Sequence, residues 1–113
     1  MRFRRKGIYG RVVEADEGGI LGGGFSIGIK DQFRLLYQED DHVIKVGTEP
    51  LRGNAGRVVY LLAVQGWESP YQNERLAEDQ VYKVRQNILA ALKFLGVKFE
   101  SNWLPSSQIA PLD

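Results

Sequence analysis

The sequence predicts an α+β protein in which one long C-terminal helix packs on one face of an antiparallel β-meander of about five strands. Three observations support this fold class. One stretch, residues 73–96, has the apolar spacing of an amphipathic helix, and no other stretch of the chain has it. Short β-prone runs separated by turn-forming residues precede the helix, and one short run follows it. The apolar face of the helix needs a partner, which only a sheet can supply here.

The composition is that of an ordinary globular domain, with 113 residues, of which 43% are hydrophobic and 26% are charged. The chain has no cysteine, which excludes disulfides, thiolate metal sites and a cysteine nucleophile. We expect no membrane contact, because no apolar run approaches the roughly 20 residues that cross a bilayer and no apolar signal region follows the basic start. A formal net charge of +1 does not indicate a dedicated nucleic-acid-binding protein.

Two strands are predicted in the first third of the chain. Residues 2–6 form a basic lead-in, for which we favour a solvated terminus over a phosphate-contacting arm. Ile8 to Glu14 is predicted as the first strand, and residues 16–19 as a turn. Ile20 to Ile29 alternates at its end and is predicted as the second strand, kinked at Gly22–Gly24. A phosphate-binding loop is disfavoured because these glycines lead into a strand-like run and do not open a helix.

The next predicted elements are a hairpin and a buried strand. Phe33 to Tyr37 and Val43 to Val46 are β-prone, and the acidic turn Glu39–Asp41 between them indicates a hairpin. Gly47 to Gly56 is rich in glycine and proline and is predicted as a loop. Arg57 to Val64 is the most hydrophobic segment, which is typical of a central strand buried on both faces.

The helix is predicted over Asn73 to Gly96. Acidic residues stand in its first turns and a lysine in its last turn, in agreement with the helix dipole. Gly96 stands where a left-handed C-terminal cap belongs. Val97 to Glu100 alternates and is predicted as a last short strand. We therefore predict one domain over residues 1–100, followed by a mobile tail at residues 101–113.

The only histidine is the one candidate for acid–base chemistry. His42 follows Asp40 and Asp41, and a neighbouring carboxylate raises the pKa of a histidine. No serine stands in a nucleophile-elbow motif, and no set of residues has metal-ligand spacing. We therefore favour a surface histidine over a catalytic one, and expect no catalytic residue, no metal site and no cofactor.

Aromatic residues allow two interpretations each. Trp67 either caps the end of the core or, together with Tyr71, forms an exposed anchor of a binding site. Trp103 either folds back over the sheet or binds a partner. For the aromatic residues on predicted strands we favour core positions over a stacking platform for single-stranded nucleic acid. These strand residues are Tyr9, Phe25, Phe33, Tyr37 and Tyr60.

A succession of motifs between Gly56 and Glu100 resembles a known family. It consists of the hydrophobic strand RVVYLLAV, a Trp-Glu-Ser-Pro turn at residues 67–70, a helix ending in NILAALKFLG, and the strand VKFE. This succession is similar to that of bacterial immunity proteins encoded beside polymorphic toxins, including those of contact-dependent growth inhibition systems. The resemblance covers less than half of the chain.

The resemblance implies a cytoplasmic, non-enzymatic protein that binds the C-terminal domain of its cognate toxin, such as a nuclease, and blocks it. An inhibitor of a basic nuclease places carboxylates where the substrate phosphates would lie. We expect the toxin-binding residues in two acidic turns and in the aromatic connection to the helix: Glu14, Asp16, Glu17, Glu39, Asp40, Asp41, Trp67, Glu68 and Tyr71.

The alternative function is a single-stranded nucleic-acid-binding module of Whirly-like shape. A strand meander followed by a helix is also the element order of that class, so the fold alone does not separate the two functions. Nucleic acid is expected as a partner only under this alternative. A small enzyme ranks third, because no catalytic constellation is visible in the sequence.

Overall fold

A computed structural model describes residues 2–7, 10–53 and 56–103, which form a seven-stranded sheet with one helix packed against it. The strands lie in the sheet in chain order, and each is antiparallel to the next except the last, which is parallel to its neighbour. This confirms the predicted α+β class. The elements are β1 (Phe3–Lys6), β2 (Val12–Ala15), β3 (Phe25–Asp31), β4 (Arg34–Glu39), β5 (His42–Pro50), β6 (Arg57–Val59), α1 (Glu78–Leu95) and β7 (Phe99–Ser101).

The core lies between the helix and one face of the sheet. Alternate residues of β3, β4 and β5 are buried, because successive side chains of a strand point to opposite faces. The buried residues of α1 recur at the helical period and meet them there. Fully burying one such aliphatic side chain stabilises the fold by about 1.5–3 kcal/mol. The core includes Val13, Phe25, Ile27, Leu35, Tyr37, Ile44, Val46, Val59, Leu61, Val64, Val84, Ile88 and Leu92.

The helix ends where the sequence predicts but begins later. Gly96 has φ 71° and forms a left-handed cap, its N–H donating to the carbonyls of Leu92 and Lys93. Helical geometry begins at Glu78, not at Asn73. Ala77 is extended, and its N–H donates to the side chain of Gln80 over 2.8 Å. Residues 73–77 are therefore part of the connection that leads into the helix.

The basic lead-in is a strand, which corrects the predicted solvated terminus. β1 pairs with β2 in antiparallel register, and Phe3 lies opposite Ala15. The expectation missed this strand because its charges suggested solvent, although Arg4 and Lys6 face the carboxylate of Glu14 across the pair. β2 begins at Val12, so only the end of the first predicted strand lies in it, and residues 10 and 11 precede it. Residues 8 and 9 lie outside the described residues.

The second predicted strand is also shorter than expected. β3 begins at Phe25, so Gly22–Gly24 lie in the loop before it and do not kink it. Within the strand, the pairing register with β4 shifts between Ile29 and Asp31. Gly24, the last residue of this loop, leaves no room for a side chain, because a Cβ atom there would collide with the backbone at Ala15.

The predicted hairpin is confirmed, with a turn of two residues. β4 and β5 pair from Arg34–Gly47 to Glu39–His42, and Asp40 and Asp41 form the turn. Asp40 has φ 52°, a left-handed conformation that aspartate tolerates better than most residues. The loop predicted over residues 47–56 is wrong in its first part, since β5 continues to Pro50 and pairs with β6.

The most hydrophobic segment is not a long central strand. Only Arg57–Val59 lie in β6, and Leu61–Ala63 form a 3₁₀ turn that ends the strand. Leu61 and Val64 are buried while Leu62 is exposed, so the apolar run follows a turn and does not alternate across a sheet. The last short strand is confirmed as β7, which lies beside β6.

Trp103 folds back onto the core, which decides between its two interpretations. Its side chain is 6% exposed, and its ring lies edge-on to Tyr82 with 5.2 Å between centroids. The guanidinium carbon of Arg85 lies 5.5 Å from the centroid of the indole ring. Residues 104–113 of the predicted tail lie outside the described residues, and the extent of a mobile tail stays a prediction.

Candidate functional site

Three segments of the chain meet at one end of the sheet. The β2–β3 loop (residues 16–24) and the β4–β5 turn (residues 40–41) lie there because both connect strands that end in register. The connection at residues 67–75 joins them, since the N–H of Glu68 donates to the carbonyl of Val43 over 2.8 Å. The sequence predicted these segments as separate turns, and the fold brings them together.

Formal charge is separated along the strand direction. The end formed by the three segments, which we call the acidic end, carries the carboxylates of Asp16, Glu17, Asp40, Asp41, Glu68 and Glu74. Positive residues at this end include Arg2, which precedes β1, His42, which begins β5, and Arg75, which lies in the connection. The opposite end has Asp31 and Glu49 but also Arg11, Lys30, Arg34, Arg52 and Lys98. A net charge near zero therefore conceals two ends of opposite sign.

His42 joins the connection to the β4–β5 turn. Its Nδ1 atom lies 3.0 Å from a carboxylate oxygen of Asp41, and its Nε2 atom lies 3.0 Å from one of Glu74. The imidazole stacks on the ring of Tyr71, with 3.6 Å between centroids and 15° between planes, and Trp67 meets its edge at 5.0 Å. The Tyr71 hydroxyl donates to the Asp41 carboxylate. These contacts hold the connection at residues 67–75 against the β4–β5 turn.

The same contacts shift the pKa values of the three groups. Partial desolvation lowers the pKa of His42, but the hydrogen bonds with Glu74 and Asp41 outweigh it and raise that pKa above 6.5. The hydrogen bond from the Tyr71 hydroxyl, followed by that from His42, lowers the pKa of the Asp41 carboxyl. In return, the Asp41 carboxylate raises the pKa of Tyr71. The cluster therefore favours a charged imidazole beside a charged carboxylate.

The contacts of His42 differ from those of a histidine that activates a hydroxyl nucleophile. Both ring nitrogens of His42 are occupied by carboxylates, so neither is directed at a hydroxyl nucleophile. In the described part of the chain, no group of three or more histidine, aspartate and glutamate side chains could hold a metal ion. The acidic end presents exposed carboxylates at one end of the sheet.

Glu39 is not at the surface, which corrects its expected position in an exposed acidic turn. Its side chain is 2% exposed and lies on the core face of β4. The Tyr37 hydroxyl donates to one carboxylate oxygen, and the N–H of Leu21 donates to the other over 2.9 Å. The alternation of Leu35, Tyr37 and Glu39 on one face was the signal in the sequence that could have placed it.

Trp67 caps the core and is not an exposed anchor. Its side chain is 4% exposed and stacks near Tyr37, with 6.5 Å between ring centroids. Glu68 and Tyr71 are half-buried, and Tyr71 covers His42. Of the aromatic connection, Glu68 and Tyr71 therefore keep accessible surface at the acidic end.

The remaining expected residues lie in or beside the β2–β3 loop. Glu14 stands in β2 and binds Lys6 and Arg4, and the hydrogen bond from Lys6 followed by that from Arg4 lowers the pKa of its carboxyl. Asp16 accepts the backbone N–H of Arg2 over 2.9 Å, which lowers the pKa of its carboxyl. Glu17 is exposed in the loop. The negative charge of Glu14 is therefore balanced by Arg4 and Lys6 within the sheet, whereas Asp16 and Glu17 belong to the acidic end.

The strand aromatics do not form a stacking platform among the described residues. Phe25 and Tyr37 lie in the core with their rings stacked at 5.4 Å, as favoured from the sequence, and burial raises the pKa of Tyr37. Phe33 is exposed in the turn at the opposite end, and Tyr60 is half-buried. Tyr9 lies outside the described residues.

One exposed apolar residue at the acidic end was missed. Leu21 is 42% exposed at the middle of the β2–β3 loop. The sequence placed it inside a strand, so nothing there distinguished it from a core leucine. Because β3 begins only at Phe25, Leu21 lies in the loop before the strand, where its side chain is exposed.

Comparison with known proteins identifies one family. A family model described as immunity protein 74 (Imm74) matches residues 32–101, which is more than half of the chain. The matched span runs from the β3–β4 turn to the end of β7 and includes the His42 cluster. No curated protein and no solved structure matches the chain. Among the described residues, no helix has the length and apolar character needed to span a membrane.

Proposed function

The chain belongs to the immunity protein 74 family, and on that premise we propose that it binds the C-terminal domain of its cognate toxin and neutralises it by stoichiometric, non-catalytic inhibition. The family match confirms the resemblance to immunity proteins and extends further towards the N-terminus than residues 56–100. A toxin partner follows from the family in general. The particular toxin domain, a contact-dependent growth inhibition system and a cytoplasmic location are parts of the proposal.

The acidic end is the observation that supports a binding site. Asp40 and Asp41 form a tight turn between two paired strands, so their backbone is fixed before any partner arrives. Asp16 and Glu17 lie in the neighbouring loop, and Glu68 lies in the connection. A fixed cluster of exposed carboxylates complements a cationic surface and accelerates association with it.

A toxin that acts on nucleic acid is the partner class that suits this charge. The substrate site of a nuclease is cationic because it receives phosphates. Carboxylates of the acidic end would occupy the positions of those phosphates and exclude the substrate. Within this proposal, Asp16, Glu17, Asp40, Asp41, Glu68 and Tyr71 contact the toxin, while Glu39 and Trp67 shape the surface from beneath.

Charge reversal at the β4–β5 turn tests the proposal. The C-terminal domain encoded immediately upstream on the native DNA serves as the toxin probe, and its dissociation constant is measured by isothermal titration calorimetry. We expect Asp40→Lys with Asp41→Lys to weaken binding by at least about tenfold, because like charges would face the cationic surface. Asp40→Asn removes a charge while tolerating the left-handed backbone, and it should weaken binding in the same direction.

The matched control is Glu49→Lys, which reverses an exposed charge at the opposite end. It should leave the dissociation constant within about twofold, since that charge is far from the interface and is screened. Absence of binding by the wild-type chain, or equal losses at both ends, would contradict the proposal. Binding of single-stranded DNA or RNA at low salt would instead support the alternative function.

A further inference from the structure

The β2–β3 loop is held from inside the protein at two points. The N–H of Leu21 donates to the buried Glu39 carboxylate over 2.9 Å, and the Asn87 side chain on the helix donates to the carbonyl of Gly18 over 2.9 Å. Asn87 also donates to the Tyr37 hydroxyl, so the loop, helix and sheet share one buried polar network. The two hydrogen bonds to the loop are partly buried and that to Tyr37 is buried, and breaking such bonds is costly because a lost partner leaves a polar group unsatisfied.

The loop exposes an apolar side chain on this fixed backbone. Leu21 is 42% exposed, and the same loop carries the exposed carboxylates of Asp16 and Glu17. The other large exposed hydrophobic residues of the described chain lie elsewhere: Phe33 in the β3–β4 turn, Leu62 in the 3₁₀ turn, and Tyr82 and Phe94 on the helix. An exposed apolar residue on a segment with exposed charged residues agrees with the usual composition of an interface, which has an apolar centre and a polar rim.

We propose that Leu21 is the apolar anchor of the toxin interface, and that Glu39 is a positioning residue that presents it. The occupant is a toxin surface with an apolar recess bordered by lysine or arginine, which complements an exposed leucine on a loop that also carries the exposed carboxylates of Asp16 and Glu17. Because the loop is ordered before binding, little conformational entropy is lost on association. This inference rests on the proposed function and names the contact at the centre of the same site.

Truncation of the leucine tests the anchor against a matched control. Leu21→Ala and Leu62→Ala each remove an exposed leucine side chain, at 42% and 49% exposure, from a segment outside the helix and strands. With the upstream-encoded domain as probe in surface plasmon resonance, Leu21→Ala should raise the dissociation constant about tenfold, mainly through a faster dissociation rate. Leu62→Ala should leave it within about twofold, as expected for a residue outside the interface.

The charge-reversal variants separate this inference from the proposed function. If Asp40→Lys with Asp41→Lys weakens binding while Leu21→Ala does not, the acidic end binds the toxin and the anchor is wrong. If neither affects binding, both proposals fail at this surface. A loss with Leu62→Ala equal to that with Leu21→Ala would also overturn the anchor.

Glu39→Gln tests the positioning role, since glutamine has nearly the same size and keeps an acceptor oxygen. We expect faster hydrogen exchange at the Leu21 amide and weaker toxin binding by the folded variant, because a neutral acceptor forms weaker hydrogen bonds. Asn87→Ala removes the donor to the Gly18 carbonyl, so it should likewise speed hydrogen exchange in the loop and weaken toxin binding. Faster exchange with unchanged affinity would show that loop order does not contribute to binding, and would remove Glu39 from the proposal.

Discussion

The Nε2 atom of His42 lies 3.0 Å from a carboxylate oxygen of Glu74, although 32 residues separate the two in the sequence. His42 begins β5, and Glu74 belongs to the connection that leads into the helix. The contact therefore joins the sheet to a segment without regular structure of its own. Because Asp41 lies on the other side of the imidazole, the strength of this junction depends on the protonation of one ring.

We expect His42 to titrate above the ordinary histidine value of 6.5. Because the folded-state pKa is raised, the stabilisation by the charged imidazole is fully present below pH 6.5 and is lost as the pH rises through the folded-state pKa. NMR titration of the imidazole protons measures that pKa directly, and no other histidine overlaps the signals. Urea unfolding at several pH values measures the loss of stability.

The control for the histidine prediction is Glu74→Gln. It removes one carboxylate partner at Nε2 while keeping the size of the side chain, so the pKa of His42 should fall towards 6.5 and stability should depend less on pH. A pKa at or below 6.5 in the wild-type protein would mean that partial burial outweighs the carboxylates. In that case the junction would not respond to pH in the direction stated.

Removing the buried phenol should destabilise the protein. The Tyr37 hydroxyl donates to Glu39 and accepts from Asn87, so Tyr37→Phe removes one hydrogen bond from each of them in the core. Glu39 keeps the Leu21 amide and Asn87 keeps the Gly18 carbonyl. We expect the free energy of unfolding to fall by about 1–3 kcal/mol, the usual cost of unsatisfied buried polar groups. Chemical denaturation by urea, followed by circular dichroism, measures the difference.

An exposed tyrosine on the helix supplies the comparison. The Tyr82 hydroxyl accepts a hydrogen bond from Gln86 over 3.1 Å at the surface, where water replaces it. Tyr82→Phe should therefore change stability by less than about 0.5 kcal/mol, as is usual for surface substitutions. Equal effects at Tyr37 and Tyr82 would argue that the buried network contributes little.

Two adjacent glycines of the β2–β3 loop should respond differently to alanine. A Cβ atom at Gly24 would collide with the backbone of Ala15 and Asp16, whereas one at Gly23 would meet nothing within 4 Å. We expect Gly24→Ala to cost about 1–3 kcal/mol or more, because backbone on both sides must move. Gly23→Ala should be tolerated. Thermal unfolding compares the two, and equal melting temperatures would show that the loop adjusts without cost.

The elements best predicted from the sequence are those with a local signal. The apolar spacing through Val84, Ile88 and Leu92 requires a helix whatever lies beside it, and Gly96 ends it by its own conformational preference. The acidic turn at Asp40 and Asp41 between two β-prone runs similarly predicts a hairpin. The helix and β3 both begin later than predicted. At both places tertiary hydrogen bonds compete with the local conformational preference of the chain.

The candidate site was predicted in part, and the burial of Glu39 is its clearest error. Asp40 and Asp41 are exposed as expected, because a two-residue turn leaves its side chains in solvent. Glu39 was expected in an exposed acidic turn, and Trp67 either as a cap of the core or as an exposed anchor; both are buried. A buried carboxylate becomes stable only when donors such as the Tyr37 hydroxyl and the Leu21 amide reach it, and those donors come from other parts of the chain.

The sequence by itself determined the fold class, the hairpin, the end of the helix and the resemblance to immunity proteins. These depend on periodicity, turn residues and motif order, which act between neighbours in the chain. Only the tertiary structure decided that β1 joins the sheet, that Trp103 covers the core, and that separate turns assemble into one acidic end. Those outcomes depend on strand register and long-range packing, which no local pattern contains, because they are set by the free energy of the whole chain.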